Sequence, residues 1–396
     1  MRTLKELALK GGSPLRKKPF PSWPVYGEEE IEALKEVLYS GVWGVGGKNK
    51  EVFEKRFSAY QDAKYGVATM NGTVALETAL RATGVGAGDE VILPAYTFVA
   101  TASSIIYLNA TPVFVDIDPE TYCIDPEEIE KKITGRTRVI LPVHVAGHPA
   151  DMDRITEIAE EYGLMVIEDA CQAHGTRWKG RGVGAIGDLG AFSFQSSKNI
   201  TCGEGGIILT NDKELYYRCW SIHNSGRVKD GEWYEHRLLG SNYRMTEFQA
   251  AVLLAQMGRL EEQTAIRNAN AEYLTKRLSE IEGIQPLKRD PRVTVHSYHL
   301  YIFRFNSESF KGLTRERFIE ALRAEGIPCS QGYRPLNKMS FIQEYLRTET
   351  SLPVTEKACE EEAVWLKQNI LLGTREDMDD VADAILKIKE NVEELL

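Results

Sequence analysis

The stretch "LMVIEDACQAHG", Leu164 to Gly175, opens on four apolar residues, turns acidic at Glu168 and Asp169, and ends polar and small. Its start reads as a strand that is apolar on both faces, and the segment before it, "DMDRITEIAEEYG", reads as a helix. The same alternation recurs around it. Candidate strands are "GVATM" (66–70), "EVILP" (90–94), "PVFVDI" (112–117), "RVILPV" (138–143), "LMVIED" (164–169), "GAFSF" (190–194) and "GIILT" (206–210). Residues 27–40 read as a first helix, "KEVFEKRFSAYQDA" as another, and patterns such as "TVALETALRAT" lie between most strands. Strands of this kind, separated by helices, predict an α/β fold: a mostly parallel seven-stranded sheet flanked by helices on both sides. Such sheets place ligand sites at the carboxyl ends of their strands. Asp169 falls at one of those ends.

At 396 residues the chain is too long for one ordinary core, and two units are expected, 1–262 with the N-terminal arm and 263–396. From Thr246 a long helical pattern without proline bridges them. Beyond it, "SYHLYIFRF", "TRERFIEALRAEG" and "REDMDDVADAILKIKENVEELL" indicate a smaller α+β domain.

Composition narrows the functional classes. A formal net charge of −10 argues against nucleic acid as the main partner, because phosphate backbones reward clustered Lys and Arg. No window offers the roughly 20 apolar residues of a membrane span. The basic N-terminal stretch "MRTLKELALKGGSPLRKKPF" lacks the apolar core of a signal peptide and reads as mature protein. Six cysteines are scattered without a C-x-x-C pair, which fits reduced thiols in a cytoplasm better than a metal cluster or disulfide framework.

Asp169 is costly at a buried strand end unless it has a cationic partner. For a lone Asp, a helix cap or a salt bridge would be the ordinary explanation. Gln172 follows in the next turn, and "FSFQSSKNITCGEGG" (Phe192 to Gly206) adds Ser193 and Lys198. A carboxylate, an amide, a hydroxyl and a lysine are thus delivered to one edge. Burial lowers a lysine's pKa and frees its amine to attack an aldehyde, which suggests Schiff-base chemistry. Pyridoxal phosphate needs such a lysine, and an acid against its ring nitrogen. Its phosphate needs N–H donors at a helix start, which "MNGTVALETAL" supplies, although an ordinary N-cap explains that motif equally well by itself.

Three other motifs compete for attention. "GVGAIG" (Gly182 to Gly187) has dinucleotide spacing, but charged residues precede it and a strand-like run follows, so its context is wrong. His144 and His148 are spaced like metal ligands, yet Gly147 and Pro149 argue against a helix there and no acidic third ligand stands beside them. His144 reads instead as pocket lining or as a core hydrogen-bonding group. His174 reads as a supporting residue near Gln172 rather than a catalyst.

Seven motifs together carry a resemblance: "NGTVAL", "GDEVILPAYTFVATASSI", "PVFVDIDPETYCIDP", "PVHVAGHPADMD", "VIEDACQAHG", "FSFQSSKNITCGEGG" and "GSNYRMTEFQAA". They span roughly residues 27–260 and resemble the DegT-type family of PLP-dependent sugar and cyclitol aminotransferases, of fold type I. The resemblance implies that Lys198 forms the internal aldimine and that Asp169 pairs with the ring nitrogen. It places Gln172 near the ring hydroxyl, and Ser193, Gly72 and Thr73 on the phosphate. Phe98 takes the place of the aromatic residue that stacks on the ring. Asn242 reaches the phosphate of a neighbouring subunit, which makes the active unit a homodimer with shared sites. Lysine rather than histidine at position 198 favours amino transfer over dehydration.

"LALKGGSPLRKKPFPSWPV", "HNSGRVKDGEWYEHRLLGSNYRM" and "GIPCSQGYRPLNK" look most like the cyclitol branch. That branch implies transfer from L-glutamine, or L-glutamate, to scyllo-inosose or a deoxy-inosose. Arg227 and Arg334 keep a nucleotide-linked ketosugar open as acceptor, since either could face a phosphate. A non-catalytic PLP-binding regulator is the alternative of another class, disfavoured because no DNA-binding module is attached.

Overall fold

The computed structural model of the chain describes residues 6–346 and 350–396. The first five residues of the basic N-terminal stretch therefore lie outside the described residues.

Seven strands form the large sheet: β1 (Tyr65–Thr69), β2 (Glu90–Pro94), β3 (Thr111–Val115), β4 (Thr137–Ile140), β5 (Met165–Asp169), β6 (Leu189–Ser193) and β7 (Gly206–Thr210). In space they run β1-β7-β6-β5-β4-β2-β3. β3, β2, β4, β5 and β6 are mutually parallel, while β7 is antiparallel to both β6 and β1. Each strand expected from the sequence is present, displaced by a few residues at most.

Successive residues of one strand feed different cores. Val91 and Leu93 join one cluster and Ile92 the other; Val139 and Leu141 likewise part from Ile140. Both faces are buried, which is why these strands read as continuous apolar runs. Helix α1 (Glu28–Ser40) opens the folded body, and α2 (Asn49–Tyr60) supplies Phe53 and Phe57 to one face. Helix α3 (Gly72–Thr83), which supplies Leu76 and Leu80 to the other, is capped by the Asn71 side chain accepting from the Val74 N–H at 3.0 Å. Helix α4 (Val99–Ile106) follows β2.

Helix α5 (Glu247–Ser279) begins with a capping box between Thr246 and Gln249. Its 33 residues extend about 50 Å. Leu253 and Leu260 pack into the large core, whereas Ala271, Leu274 and Leu278 pack into a separate core. That second core belongs to a small antiparallel sheet, β8 (Ile284–Pro286), β9 (Leu300–Phe305) and β10 (Ala363–Lys367), with helices α6 (Arg315–Ala324) and α7 (Arg375–Glu390). The expected division at 262/263 thus falls inside an unbroken helix. The N-terminal arm, expected with the first unit, packs on the second core: Leu7 is fully buried there, and Arg16 pairs with Asp377 and Asp380, each at 2.7 Å.

Candidate active site

Asp169 ends β5 with 5% of its surface exposed. Its N–H donates to the Pro142 carbonyl and its own carbonyl accepts from the His144 N–H, so the backbone there is fixed. Oδ2 accepts from the Thr101 hydroxyl at 2.8 Å, and Oδ1 from the Cys171 N–H at 3.2 Å. The Thr101 hydroxyl is itself 2.9 Å from that of Thr97. Among the described residues no cation forms an ion pair with Asp169; besides those two donors it has the Cys171 thiol and the field of the nearby Lys198. A buried carboxylate in that condition is under-compensated, and a protonated ring nitrogen would complete it.

Lys198 lies in the loop between β6 and β7. The loop is closed by Phe194 N–H to the Gly205 carbonyl (2.8 Å) and Cys202 N–H to the Phe194 carbonyl (3.2 Å). Asn199 Nδ2 anchors it to the Ser297 carbonyl at 2.7 Å. Lys198 keeps some accessible surface, yet the protein crowded round its ammonium pushes its pKa down, and the nearby Cys171 and Asp169 only partly oppose this. Its side chain has no ion pair among the described residues.

Gln172 follows Asp169 by three residues. Its Oε1 accepts from the Ala146 N–H at 2.7 Å, and its Nε2 donates to the Tyr333 hydroxyl at 2.8 Å. The start of α3 presses on the end of β6 beside it. A Cβ added at Gly72 would stand 2.6 Å from the Ser193 Cβ and 3.2 Å from the Cys171 Sγ, so only glycine fits. As the first two helical residues, Gly72 and Thr73 have N–H groups with no intrahelical acceptor. The Ser193 Oγ accepts from the Gln195 N–H at 3.3 Å and keeps its own proton to donate. Helix start and hydroxyl together make a cradle for an anion such as phosphate. The donor set therefore fits pyridoxal phosphate at both ends.

Comparison with known proteins shows the family. The model of the DegT/DnrJ/EryC1/StrS aminotransferase family matches residues 24–386. The chain belongs to that family. Members of the family are PLP-dependent aminotransferases. A protein of Streptoalloteichus tenebrarius, named as a candidate L-glutamine:3-amino-2,3-dideoxy-scyllo-inosose aminotransferase, is 43% identical over 98% of this chain and 99% of its own length. The L-glutamine:2-deoxy-scyllo-inosose aminotransferase of Micromonospora echinospora is 40% identical over 98% and 99%. Among solved structures, 3-amino-5-hydroxybenzoic acid synthase superposes with a TM-score of 0.89 at 36% identity, covering 96% of this chain and 100% of that one. The fold is thus that of type I PLP-dependent aminotransferases.

In this aminotransferase Phe98 occupies the N-cap position of α4, three residues before Thr101, and is 59% exposed. Asn242 lies two residues before Arg244, which bridges Thr69 at the end of β1. Asn242 itself is exposed and bridges Asn224, while the carbonyl of the following Tyr243 accepts from the Met70 N–H at 2.8 Å.

The competing motifs have structural roles. Glu168 is fully buried, and it collects N–H bonds from Gly184 (2.6 Å), Ile186 (2.8 Å) and Gly187 (2.7 Å), three of the last four residues of "GVGAIG". His144 completes the set, with Nε2 2.9 Å from Glu168. Because His144 Nδ1 accepts from the Ala150 N–H, Nε2 is the protonated nitrogen and donates. His144 therefore takes the hydrogen-bonding role rather than a ligand's. His148 bonds the Pro149 carbonyl and accepts from the Asp290 N–H; burial pushes its pKa down to about 4. His174 holds the Ser193 carbonyl at 2.8 Å, and burial, with Lys198 nearby, pushes its pKa down to about 3.

Two participants were absent from the sequence reading. Thr101 lies 68 residues from the carboxylate it holds, and Tyr333 lies 161 residues from Gln172. A polar residue among the helical "VATASS", three after an exposed aromatic, was the available signal for the first; nothing local marked the second.

Proposed function

We propose that this aminotransferase holds pyridoxal phosphate through Lys198 and moves an amino group from L-glutamine, or L-glutamate, to a keto-cyclitol such as scyllo-inosose or a deoxy-inosose. One observation carries the cofactor assignment: Asp169, buried with no ion pair, lies near enough to Lys198 for their charges to interact, and burial depresses the pKa of that lysine. When bound, the cofactor supplies a protonated ring that accepts electrons from the substrate's α-carbon. Asp169 holds the proton at the ring nitrogen. Lys198, its pKa lowered by burial, takes a proton from the substrate carbon and returns it elsewhere, as general base and then acid. Gly72, Thr73 and Ser193 bind the phosphate, Phe98 stacks on the ring, and Gln172 meets the ring hydroxyl. Asn242 serves the phosphate of a second copy in a homodimer, a cytoplasmic enzyme whose two domains are 1–262 and 263–396. Separate cores at either end of α5 support two units, although the N-terminal arm packs on the second.

The acceptor assignment is supported by the names of the inosose aminotransferases most like this chain. The nucleotide-sugar alternative has its own support, a cleft of about 700 Å³ beside Tyr333 lined by Arg315, Arg334 and Lys338. Borohydride reduction and peptide mapping test the covalent link, with phosphopyridoxyl expected on Lys198 and label on another lysine refuting it. A side-by-side assay against nucleotide 3-keto and 4-keto sugars tests the acceptor. Faster turnover of a nucleotide sugar would reverse the cyclitol assignment and leave amino transfer standing. For the dimer, mixing inactive Asn242→Ala and Lys198→Ala subunits is expected to restore activity; no recovery despite subunit exchange removes the shared site.

A further inference from the structure

Gln172 is gripped by two segments that only the tertiary fold brings together. Its oxygen is committed to the N–H of Ala146, a non-glycine residue held at φ 57° in the turn after β4. Its nitrogen donates to Tyr333, which arrives on the loop preceding Leu336 in the small-domain half of the chain. An amide with its oxygen fixed can still swing its NH₂ group. The second contact removes that freedom.

Tyr333 is itself tightly placed. Its ring meets Trp365 of β10 edge-on at 4.5 Å and Tyr96 at 5.5 Å, and the Trp365 indole N–H donates to the Tyr96 hydroxyl at 2.9 Å. Gly332, at φ +83°, passes so close that a Cβ would lie 2.4 Å from the Trp365 ring. Tyr96 precedes Phe98 by two residues in the loop after β2. Three aromatic residues therefore join the small sheet, the large sheet and the Gln172 amide. Burial pushes the Tyr333 hydroxyl's pKa up, with Asp169 and Cys171 close enough to add to the effect, so the group stays a neutral phenol.

We infer that Tyr333 is a positioning residue, which fixes the Gln172 amide in the cofactor pocket and thereby makes cofactor binding depend on how the small-domain loop is docked. This rests on the reading that Gln172 meets the ring hydroxyl. A donor to that oxygen favours its anionic form, so losing the donor, or its alignment, shifts the bound cofactor's titration to higher pH.

The test compares Tyr333→Phe, Gln172→Ala and the double variant. Two quantities are read: pyridoxal phosphate affinity of the apoenzyme by fluorescence titration, and the pH midpoint of the loaded enzyme's visible absorption. Each single variant is expected to bind the cofactor about 3- to 10-fold more weakly and to titrate at higher pH. The double variant is expected to match Gln172→Ala, because Tyr333 acts only through that amide. A shift in Gln172→Ala without one in Tyr333→Phe overturns the inference and leaves the reading of Gln172 intact. No shift in either overturns both. Additive shifts in the double variant also overturn it, since Tyr333 would then act by another route. If Tyr333→Phe does not fold, Trp365→Phe replaces it: that change loosens the aromatic group and keeps the phenol, and a smaller shift of the same sign is expected. No shift there overturns the inference as well.

Discussion

Glu168 and Asp169 sit side by side at the end of β5, and the pleat turns them to opposite faces of the sheet. Glu168 accepts three backbone N–H groups and one imidazole, and those donors hold its pKa below the ordinary carboxylate value although burial pulls the other way. Asp169 has one hydroxyl, one N–H and no ion pair among the described residues. The same contrast divides two lysines. Lys387 is buried with Glu325 at 2.8 Å, while Lys198 has no such partner. A charge that serves the fold is compensated inside the protein; a charge that serves a ligand is left open. That difference is what marks Asp169 and Lys198 as the candidate site.

Replacing Lys198 makes the largest break in this comparison. Lys198→Ala is expected to fold, to retain cofactor noncovalently, and to lose turnover by several orders of magnitude. Positioned proton transfer alone is worth about 10²- to 10⁴-fold. Absorption spectra of the dialysed variant and its amino-transfer rate check both halves; a rate within 10-fold (roughly 1.4 kcal/mol) of the parent would remove Lys198 from the chemistry.

Asp169→Asn comes next. An asparagine can keep its oxygen on the Cys171 N–H and turn its NH₂ to Thr101, whose hydroxyl then accepts. The apoprotein is therefore expected to unfold within about 1 kcal/mol of the parent. Turnover is expected to fall about 10²- to 10³-fold, because the neutral amide cannot stabilise a ring-nitrogen proton. Glu168→Gln is the converse. Each of its two oxygens accepts two donors, so an amide NH₂ must face two of the four, and a loss of about 3 kcal/mol in stability is expected. Active-site titration of the fraction that folds should show near-normal turnover. If Glu168→Gln lost activity and Asp169→Asn lost stability, the assignment of roles would be reversed.

The Glu168 network also predicts a pH dependence. Its folded pKa lies below the unfolded value, so its stabilisation is complete above the unfolded carboxylate range and is lost as pH falls through the folded pKa. The stability gap between the parent and Glu168→Gln, measured by urea denaturation, is expected to be constant near neutrality and to narrow below about pH 4.5. His174 and His148 move stability in the same direction over a higher range. Both stay neutral in the fold down to about 3 and 4, so unfolding takes up protons below about pH 6.5. The Glu168 gap is a difference between two proteins that share both histidines, and it isolates the carboxylate.

Much of this was legible before any coordinates. The seven strands could be read because both faces of the sheet are covered, which leaves unbroken apolar runs such as "EVILP". Lys198 and Asp169 could be read because a charged residue at the end of such a run demands an explanation. The arm was not legible: Leu7, Leu15 and Phe20 carry no period, and their destination on the second core depends on Glu325, which accepts from the N–H groups of Ala8 and Leu15 more than 300 residues earlier. "GVGAIG" was set aside as a dinucleotide motif on its context, but its work as a cradle for Glu168 could not be inferred, since donor and acceptor lie on separate turns. Tyr333 and Thr101 escaped for the same reason, being polar groups whose partners only folding selects.

The smallest expected effect concerns Thr101, and it sharpens the contrast between the two acids most finely. Thr101→Val keeps the shape of the side chain and removes one of the two donors that hold Asp169. Thr97 loses its hydroxyl partner at the same time. The carboxylate then has one N–H and greater freedom to rotate, so cofactor affinity is expected to fall about 3- to 10-fold. Turnover at saturating cofactor should fall much less than in Asp169→Asn, because the charge itself remains. Thr101→Ser should restore the hydroxyl and with it most of the affinity, which separates the hydrogen bond from the packing of the methyl group. Cofactor titrations of the three proteins decide the matter. If valine and serine weaken binding equally, the methyl contact matters and the hydroxyl does not, and Asp169 would be oriented by the Cys171 N–H and the strand end alone.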